Sequence, residues 1–161
     1  LDILVNNAGN VIFESIEDCS LAHFKLHLDI HVVGTFLGCK YAVPLMKHRH
    51  ETVGGGGSSI INMASTAALM GYGNIPAYAA CKAGLTGFTQ SLALELGPAG
   101  IRVNLIAPET TDTPQVPVSL MIPEEHRAHV PRWTPLGRFG TPEDMANGIL
   151  FLASQQAAWI T

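Results

Sequence analysis

The sequence predicts an α/β fold, part of a doubly wound parallel sheet of three strands with flanking helices. Short apolar runs alternate with long stretches of helical periodicity. The runs are mostly apolar, which is typical of strands that are buried on both faces of a parallel sheet. The first run ends in Asn6-Asn7-Ala8-Gly9. Strand–helix alternation implies right-handed crossovers that lay consecutive strands side by side.

The predicted elements follow one another without an internal repeat or linker. They are a strand over 1–5, a helix over 21–48, a strand over 59–63, a helix over 76–96, a strand over 101–106 and a helix over 142–153. Pro98 and Gly100 end the second long helix. Thr141 is a capping residue and Pro142 suits the first position of the last helix. The proline-rich stretch over 108–135 is predicted to be irregular.

Composition excludes several classes of function. With 161 residues and 47% hydrophobic content, the chain fits one globular domain. A net charge of -4 without a basic stripe argues against nucleic-acid binding. The longest apolar stretches, such as 101–108, are too short to cross a bilayer, so no membrane partner is expected. No secretory signal pattern is visible, which favours a cytoplasmic location.

Neither a metal site nor a disulfide framework is indicated. Cys19, Cys39 and Cys81 are widely spaced and form no Cys-x-x-Cys pair, so free and mostly buried thiols are expected. The seven histidines show no metal-ligand spacing. The glycine run over 54–57 lacks the Lys-Ser/Thr of a phosphate-binding loop and precedes a strand, so it is interpreted as a connector.

The residues that suggest chemistry begin with Tyr78 and Lys82, which share one helical face. A phenol has a pKa near 10 and is a poor acid or base at neutral pH. An ammonium ~5 Å away contributes roughly 3 kcal/mol at an effective dielectric of ~20, which predicts a tyrosine pKa lowered by ~2 units. Ser65 ends the preceding strand, where its hydroxyl can bond a substrate oxygen. Each feature alone is weak, but their joint order is specific.

This arrangement resembles the short-chain dehydrogenase/reductase family. Asn6-Asn7-Ala8-Gly9 follows the first strand, Ser65 precedes Tyr78 by thirteen residues, and Lys82 follows. The further matches, in chain order, are Gly34-Thr35-Phe36, Arg102-Val103-Asn104, Pro108 with Thr113, Pro135-Leu136-Gly137-Arg138, Gly140, Pro142-Glu143 and Phe151-Leu152-Ala153-Ser154. The resemblance spans the chain and implies a single partial Rossmann-type domain over 1–161, its catalytic half.

The resemblance implies hydride transfer between NAD or NADP and a small-molecule secondary alcohol or ketone. Ser65 would orient the substrate oxygen, Tyr78 would transfer the proton, and Lys82 would lower the tyrosine pKa and hold the nicotinamide ribose. A lid over 114–135 would cover the substrate, and the two long helices would form a homodimer or homotetramer. The implied cofactor contacts are Asn6, Asn7, Ala8, Gly9, Tyr78, Lys82, Pro108, Thr111 and Thr113.

Two positions depart from the family pattern. His31 stands where the family has an asparagine that helps to hold a water linked to the lysine. The imidazole either holds that water and carries protons as a further catalytic residue, or is a packed neutral side chain. Glu109 stands where the family has glycine. Its carboxylate either points inward, where it repels a phosphate-bearing ligand, or points to solvent.

The glycine-rich pyrophosphate loop, the residue that selects NAD or NADP, and the last strand of the family are absent from the sequence. Both sheet edges would then be open, so this exact polypeptide is expected to be poorly soluble and inactive alone. Two other functions stay open: a catalytically idle cofactor-binding protein, and an epimerase or dehydratase relative. The apolar residues over 66–75 and the lid favour an uncharged substrate of small or medium size.

Overall fold

The computed structural model describes residues 1–54, 57–121, 123, 125 and 134–161. Its centre is a parallel sheet with strand order β1-β2-β3. The strands are β1 (Ile3–Asn6), β2 (Ser58–Met63) and β3 (Ile101–Ile106). Ile60 of β2 is opposite Leu4 on one side and Val103 on the other. The predicted α/β class and the predicted order of three parallel strands are confirmed. β1 covers Ile3–Asn6 instead of the predicted 1–5.

The first long helix is not one α-helix, and that prediction was wrong. It consists of α1 (Leu21–His27), a π-helical segment (Leu28–Val33) and α2 (Gly34–Val53). The N–H of Gly34 donates to the carbonyl of Asp29, five residues earlier, so the turn holds an extra residue. Apolar spacing over six residues cannot separate the two helical periods. α2 also runs past residue 48 and ends at Gly54, whose φ of 66° favours glycine.

One face of the sheet is covered by α2 and α3 (Pro76–Leu96), and α3 has the predicted bounds. Burial of the apolar side chains between these helices and the sheet contributes about 1.5–3 kcal/mol of folding free energy for each large side chain. Cys39 and Cys81 are buried and Cys19 is partly exposed, and all three are unpaired as predicted. The buried cluster between helices and sheet consists of Cys39, Ala42, Met46, Ile60, Leu96, Ile101 and Val103.

The opposite face is covered by a helix close to the carboxyl end of the chain. A short helix, α4 (Val118–Met121), precedes it, so the predicted irregularity of 108–135 was wrong there. The rest of that stretch lies partly outside the described residues. α5 (Pro142–Ala153) has the predicted bounds, and Thr141 and Asp144 cap it reciprocally. The Ser59 hydroxyl donates to the carbonyl of Leu152 at 3.0 Å, which fixes α5 against β2.

A buried polar chain links two strands to α3. The Asn6 amide donates to the Asn62 side-chain oxygen at 2.8 Å, and the Asn62 amide donates to the Thr89 hydroxyl at 2.9 Å. Asn62 is fully buried, and these bonds satisfy it. Within the described ranges, no helix combines the length and the hydropathy needed to span a bilayer.

Candidate active site

A cavity of about 1170 Å³ opens beyond the carboxyl ends of the three strands. Parallel strands end at one edge, and ligands of such sheets bind there. The volume is above the ~300–1,000 Å³ of a typical small-molecule site, so it has room for the reacting parts of two molecules. The predicted site residues that line it are Asn7, Gly9, His31, Ser65, Tyr78, Lys82, Pro108, Thr111 and Thr113.

Two of the predicted cofactor contacts, Asn6 and Ala8, are not on the cavity wall. Asn6 is the last residue of β1, and its side-chain amide donates to Asn62 of β2 and to the Cys39 sulfur of α2. A Cβ at Gly38 would overlap the Asn6 side chain, so helix and strand approach closely here. The sheet, not the cavity, holds this asparagine.

The loops after β2 and β3 are joined by backbone hydrogen bonds beyond the strands themselves. Ala64 N–H donates to Ile106 O at 2.8 Å, and Thr66 N–H donates to Pro108 O at 2.9 Å. The Thr111 hydroxyl donates to the carbonyl of Glu109 at 3.0 Å. These bonds hold the residues that follow β3 beside those that follow β2.

Ser65 lies in extended backbone directly after β2 and caps a 3-10 turn over Thr66–Ala68. Its hydroxyl oxygen accepts from Ala67 N–H at 3.2 Å. The Ser65 side chain also forms a hydrogen bond with the Tyr78 side chain. A cap of this kind fixes the hydroxyl at the strand end, where a reacting oxygen can reach it.

Tyr78 lies in the first turn of α3, two residues after Pro76 starts the helix. Its side chain is half-buried, and burial raises its pKa above the ordinary value, while the hydrogen bond from Ser65 acts in the opposite direction. The expected lowering of this pKa by Lys82 is therefore not found. The phenol is protonated at neutral pH, which makes it a proton donor.

The Lys82 ammonium is bonded to the end of β2. It donates to the carbonyl of Met63 at 2.7 Å and lies 5.4 Å from the centroid of the Tyr78 ring. Burial lowers the Lys82 pKa to about 8, and Cys81 acts in the opposite direction. The bond to Met63, at the end of β2, fixes the rotation of α3 about its axis and so the direction of Tyr78.

His31 lies in the π-helical segment and is 1% exposed. Its Nε2 is 2.8 Å from the carbonyl of Asn10, which can only accept, so Nε2 carries the proton and Nδ1 is an acceptor. Nδ1 is buried and has no hydrogen-bond partner among the described residues. Burial first, and then the charge of Lys82, lowers the His31 pKa to about 4, so the ring is neutral. The ring meets Tyr78 edge-on, with centroids 5.4 Å apart.

His27 also belongs to this side of the site, although the sequence interpretation did not single it out. Its ring stacks on His31 with centroids 5.9 Å apart. Its Nε2 accepts from the Ile12 N–H at 3.3 Å, and its Nδ1 donates to the carbonyl of His23 at 2.9 Å. The two rings thus hold the loop after β1. The signal in the sequence is the spacing of histidines at 23, 27 and 31, which places them on one helical face.

Gly9 allows the loop to approach these rings. A Cβ at this position would lie 2.9 Å from Cε1 of His31, closer than packed atoms tolerate. The carbonyl of Gly9 accepts from the Gln115 side chain at 3.2 Å, a contact that sequence patterns do not reveal. Gly9 therefore serves close packing against His31.

Glu109 is exposed, and neighbouring hydroxyl groups hold its carboxylate in place. Its Oε2 accepts from the Thr66 hydroxyl at 2.5 Å and from the Tyr72 hydroxyl at 2.6 Å, and its Oε1 accepts from the Thr110 hydroxyl at 2.9 Å. Burial raises the pKa of this carboxyl, but the three hydroxyl donors outweigh that effect and the pKa is lowered. The carboxylate is charged at neutral pH.

Sequence comparison agrees with this geometry over the whole chain. A family described as enoyl-(acyl carrier protein) reductase matches residues 1–161. The chain belongs to the short-chain dehydrogenase/reductase family. The predicted membership is thereby confirmed.

Three similar proteins are informative. Trans-4-hydroxycyclohexanecarboxylate dehydrogenase of Sinomonas cyclohexanicum is 39% identical over the whole chain and 56% of its own length. A putative NAD(P)-dependent gluconate 5-dehydrogenase of Beutenbergia cavernae, solved with NADP, has a TM-score of 0.88 at 31% identity, covering 99% of this chain and 61% of that one. The 3-ketoacyl-(acyl-carrier-protein) reductase of Brucella melitensis, solved with NADH, has a TM-score of 0.85 at 33% identity, covering 100% and 63%. The chain thus spans about three fifths of the length of these proteins.

Proposed function

We propose that residues 1–161 form the catalytic half of an NAD(P)-dependent oxidoreductase that acts on a secondary alcohol or ketone. Tyr78 is its general acid and base. The observation that carries the proposal is the convergence of Ser65, Tyr78 and Lys82 on the wall of one cavity at the strand ends. Hydroxy-compound dehydrogenases among the similar proteins support the same class of reaction.

The cavity suits a nicotinamide cofactor. Two buried acceptors, Nδ1 of His31 and Oδ1 of Asn10, have no partner among the described residues, and both residues line the cavity. Buried acceptors without a partner favour a ligand or ordered water beside them. When bound, NAD or NADP would supply the hydride acceptor or donor. The residues that would hold it are Asn7, Gly9, Tyr78, Lys82, Pro108, Thr111 and Thr113.

The side chains at the site have different roles in proton transfer. The Ser65 hydroxyl orients the substrate oxygen. In the reducing direction, the protonated Tyr78 phenol donates its proton to that oxygen. In the oxidising direction the phenol must first lose its proton, so that it can take up the hydroxyl proton of the alcohol. Lys82, bonded to Met63, holds α3 and so Tyr78 in place. The Nδ1 atom of His31 holds a water that passes the proton between the site and solvent.

The test is Tyr78→Phe in the full-length protein that carries these residues. Loss of the proton donor should lower kcat by about 10²–10⁴-fold, while the protein still binds the cofactor. Tyr41→Phe is the matched control, because Tyr41 is an exposed tyrosine on α2. Turnover retained by Tyr78→Phe would refute the role of Tyr78.

A second candidate is a catalytically idle cofactor-binding protein. The raised pKa of Tyr78 and the histidine at position 31 favour it. Incubation with NAD or NADP and a panel of alcohols, followed by nicotinamide absorbance, separates the two. Cofactor binding without any absorbance change would select the idle protein.

Contacts with the loop after β1 support the substrate lid that we propose over 114–135. Gln115 contacts Gly9, and Val116 and Val118 line the cavity. Residues 122, 124 and 126–133 lie outside the described part. Limited proteolysis with and without ligand tests the lid, because protection of this segment should increase on binding. Equal cleavage would argue against it.

We also propose a cytoplasmic homodimer or homotetramer that associates through α2 and α3. Exposed apolar side chains on these helices, among them Phe36, Tyr41, Leu45 and Leu94, support the proposal. Light scattering of the full-length protein should give two or four copies, and Leu45→Glu should lower that number. A monomer at all concentrations would contradict it, and recovery of the protein outside the cytoplasm would contradict the location.

A further inference from the structure

Glu109 is the one acidic residue among the described residues that line the cavity. The other ionisable residues on the described wall are His31, Tyr72, Tyr78 and Lys82. His31 is neutral, and Lys82 is buried with its ammonium bonded to Met63. At neutral pH the described wall therefore carries one exposed negative charge, at Glu109, and one buried positive charge, at Lys82.

The three partners of this carboxylate do not cancel its charge. Thr66, Tyr72 and Thr110 are neutral hydroxyl donors. Hydrogen bonds of this kind favour the ionised form of a carboxyl group while they leave its negative charge in place. They also fix its position, so an incoming ligand meets a charge that has already been oriented.

The carboxylate shares its cavity with the residue that would hold the substrate oxygen. Thr66, one of its partners, is the residue directly after Ser65, and both line the cavity. Because Glu109 and Ser65 line one cavity, a single ligand in it can contact both side chains.

We infer that Glu109 selects substrates by charge and that the preferred alcohol or ketone carries a protonated amine near its reacting carbon. The inference rests on the proposed function and names the substrate class for the same site. It departs from the uncharged substrate favoured by the apolar sequence around the site. A carboxylate-bearing alcohol, by contrast, is repelled by Glu109.

Three probes of one shape test the inference: trans-4-aminocyclohexanol, trans-4-methylcyclohexanol and trans-4-hydroxycyclohexanecarboxylate. Near pH 7 an alkyl amine is cationic, since its pKa is close to the ~10.4 of lysine. Turnover with the cofactor and calorimetric binding to the cofactor-loaded full-length protein are both measured. The amine should exceed the methyl compound in kcat/KM and in affinity, and the carboxylate should fall below it.

Glu109→Gln keeps the size and an acceptor but removes the charge. The amine-to-methyl ratio should fall roughly tenfold, as removal of one nearby charge in a partly hydrated site predicts. Glu109→Asp should retain most of the ratio. Glu95→Gln is the matched control, since Glu95 lies 17 residues beyond Tyr78 in α3, about 25 Å along the helix axis. It should leave the ratio unchanged.

The wild-type protein provides a measurement that does not depend on the folding of any variant. The amine-to-methyl ratio should shrink as salt rises from about 0.01 M to 1 M, since screening weakens an exposed charge pair. A ratio near one at low salt, or one unchanged in Glu109→Gln, overturns the inference and leaves the proposed function intact. Charge-dependent binding without turnover of any alcohol overturns the proposed function alone.

Discussion

The two sides of the cavity hold their ionisable groups on different kinds of backbone. On the tyrosine side, Tyr78 and Lys82 lie one turn apart on the regular helix α3. On the histidine side, His31 lies in a π-helical segment and His27 stacks behind it. Lys82 fixes a helix against a strand, whereas the two histidines fix a loop. The regular side thus presents the proton donor, and the irregular side packs edge-on against it.

The difference extends to charge. Lys82 keeps a buried cation, and burial lowers its pKa to about 8. His31 is equally buried, but its pKa of about 4 leaves it neutral at physiological pH. A buried charge is costly to a folded protein, and functional sites are where such a cost is tolerated. On the tyrosine side, the buried Lys82 charge therefore lowers the stability of the fold at the site of the proposed reaction.

The largest effect that separates the two sides is expected from Lys82→Met. Loss of the ammonium should lower kcat/KM by about 10²-fold or more, because Tyr78 loses both its nearby charge and the anchor of its helix. Lys40→Met, which removes an exposed lysine from α2, is the control and should change neither activity nor stability appreciably. Unchanged turnover in Lys82→Met would remove the distinction between the two sides.

Lys82→Met should also change how the free energy of unfolding depends on pH. Below pH 8 both folded and unfolded chains hold the Lys82 proton, and the cost of burial is complete. Between pH 8 and about 10.5 only the unfolded chain holds it, so the free energy of unfolding of the wild type rises with pH. Urea titrations should show that Lys82→Met lacks this contribution. A parallel pH dependence in both proteins would contradict the assigned pKa.

The next effect is expected from His31→Asn. His31 is neutral when folded and has a depressed pKa of about 4, so its contribution is present above pH 6.5 and is lost as the pH falls toward 4. The wild type should lose up to about 3 kcal/mol of unfolding free energy over this window, and the variant should lose less. Exposed His48 supplies the control His48→Asn. An identical pH–rate profile in His31→Asn would exclude its proton-carrying role.

The smallest effect is expected from His27→Phe, which keeps a ring of similar size but removes both hydrogen bonds. The cost to stability should be about 1 kcal/mol. The Ile12 amide, which donates to His27 in the wild type, should exchange its hydrogen faster in the variant. The KM should rise more than kcat falls, because His27 positions the loop and takes no part in proton transfer. Unchanged exchange at Ile12 would show that the ring does not hold the loop.

The sequence predicted the regular side of the molecule better than the irregular one. The bounds of α3, β3 and α5 agree with the prediction because proline, glycine and a capping threonine mark them. The tyrosine and lysine are found from local spacing. The π-helical segment was missed because its apolar pattern fits an α-helix equally well. The direction of the Tyr78 pKa was wrong because the cost of burial depends on packing that spacing does not reveal.

Contacts between distant residues explain the other omissions. The family resemblance implied that Asn6 contacts the cofactor, whereas its side chain binds Asn62, 56 residues away. The hydroxyls that bind the Glu109 carboxylate come partly from a loop about 40 residues earlier. A pattern of neighbouring residues carries no information about such pairs. It therefore predicts which side chains reach the strand ends better than it predicts what they contact there.

The amide chain from Asn6 through Asn62 to Thr89 has a consequence for folding. A one-residue slip turns every side chain to the other face of the sheet, and the hydrophobic pattern opposes this less in strands that are apolar on both faces. A one-residue slip of β1 would bring Val5 beside Asn62 and leave a buried amide oxygen without a donor, at a cost of about 1–3 kcal/mol. The Asn6–Asn62 pair thus favours the native register of β1 and β2 without a bound ligand. The ends of these strands therefore adopt one arrangement.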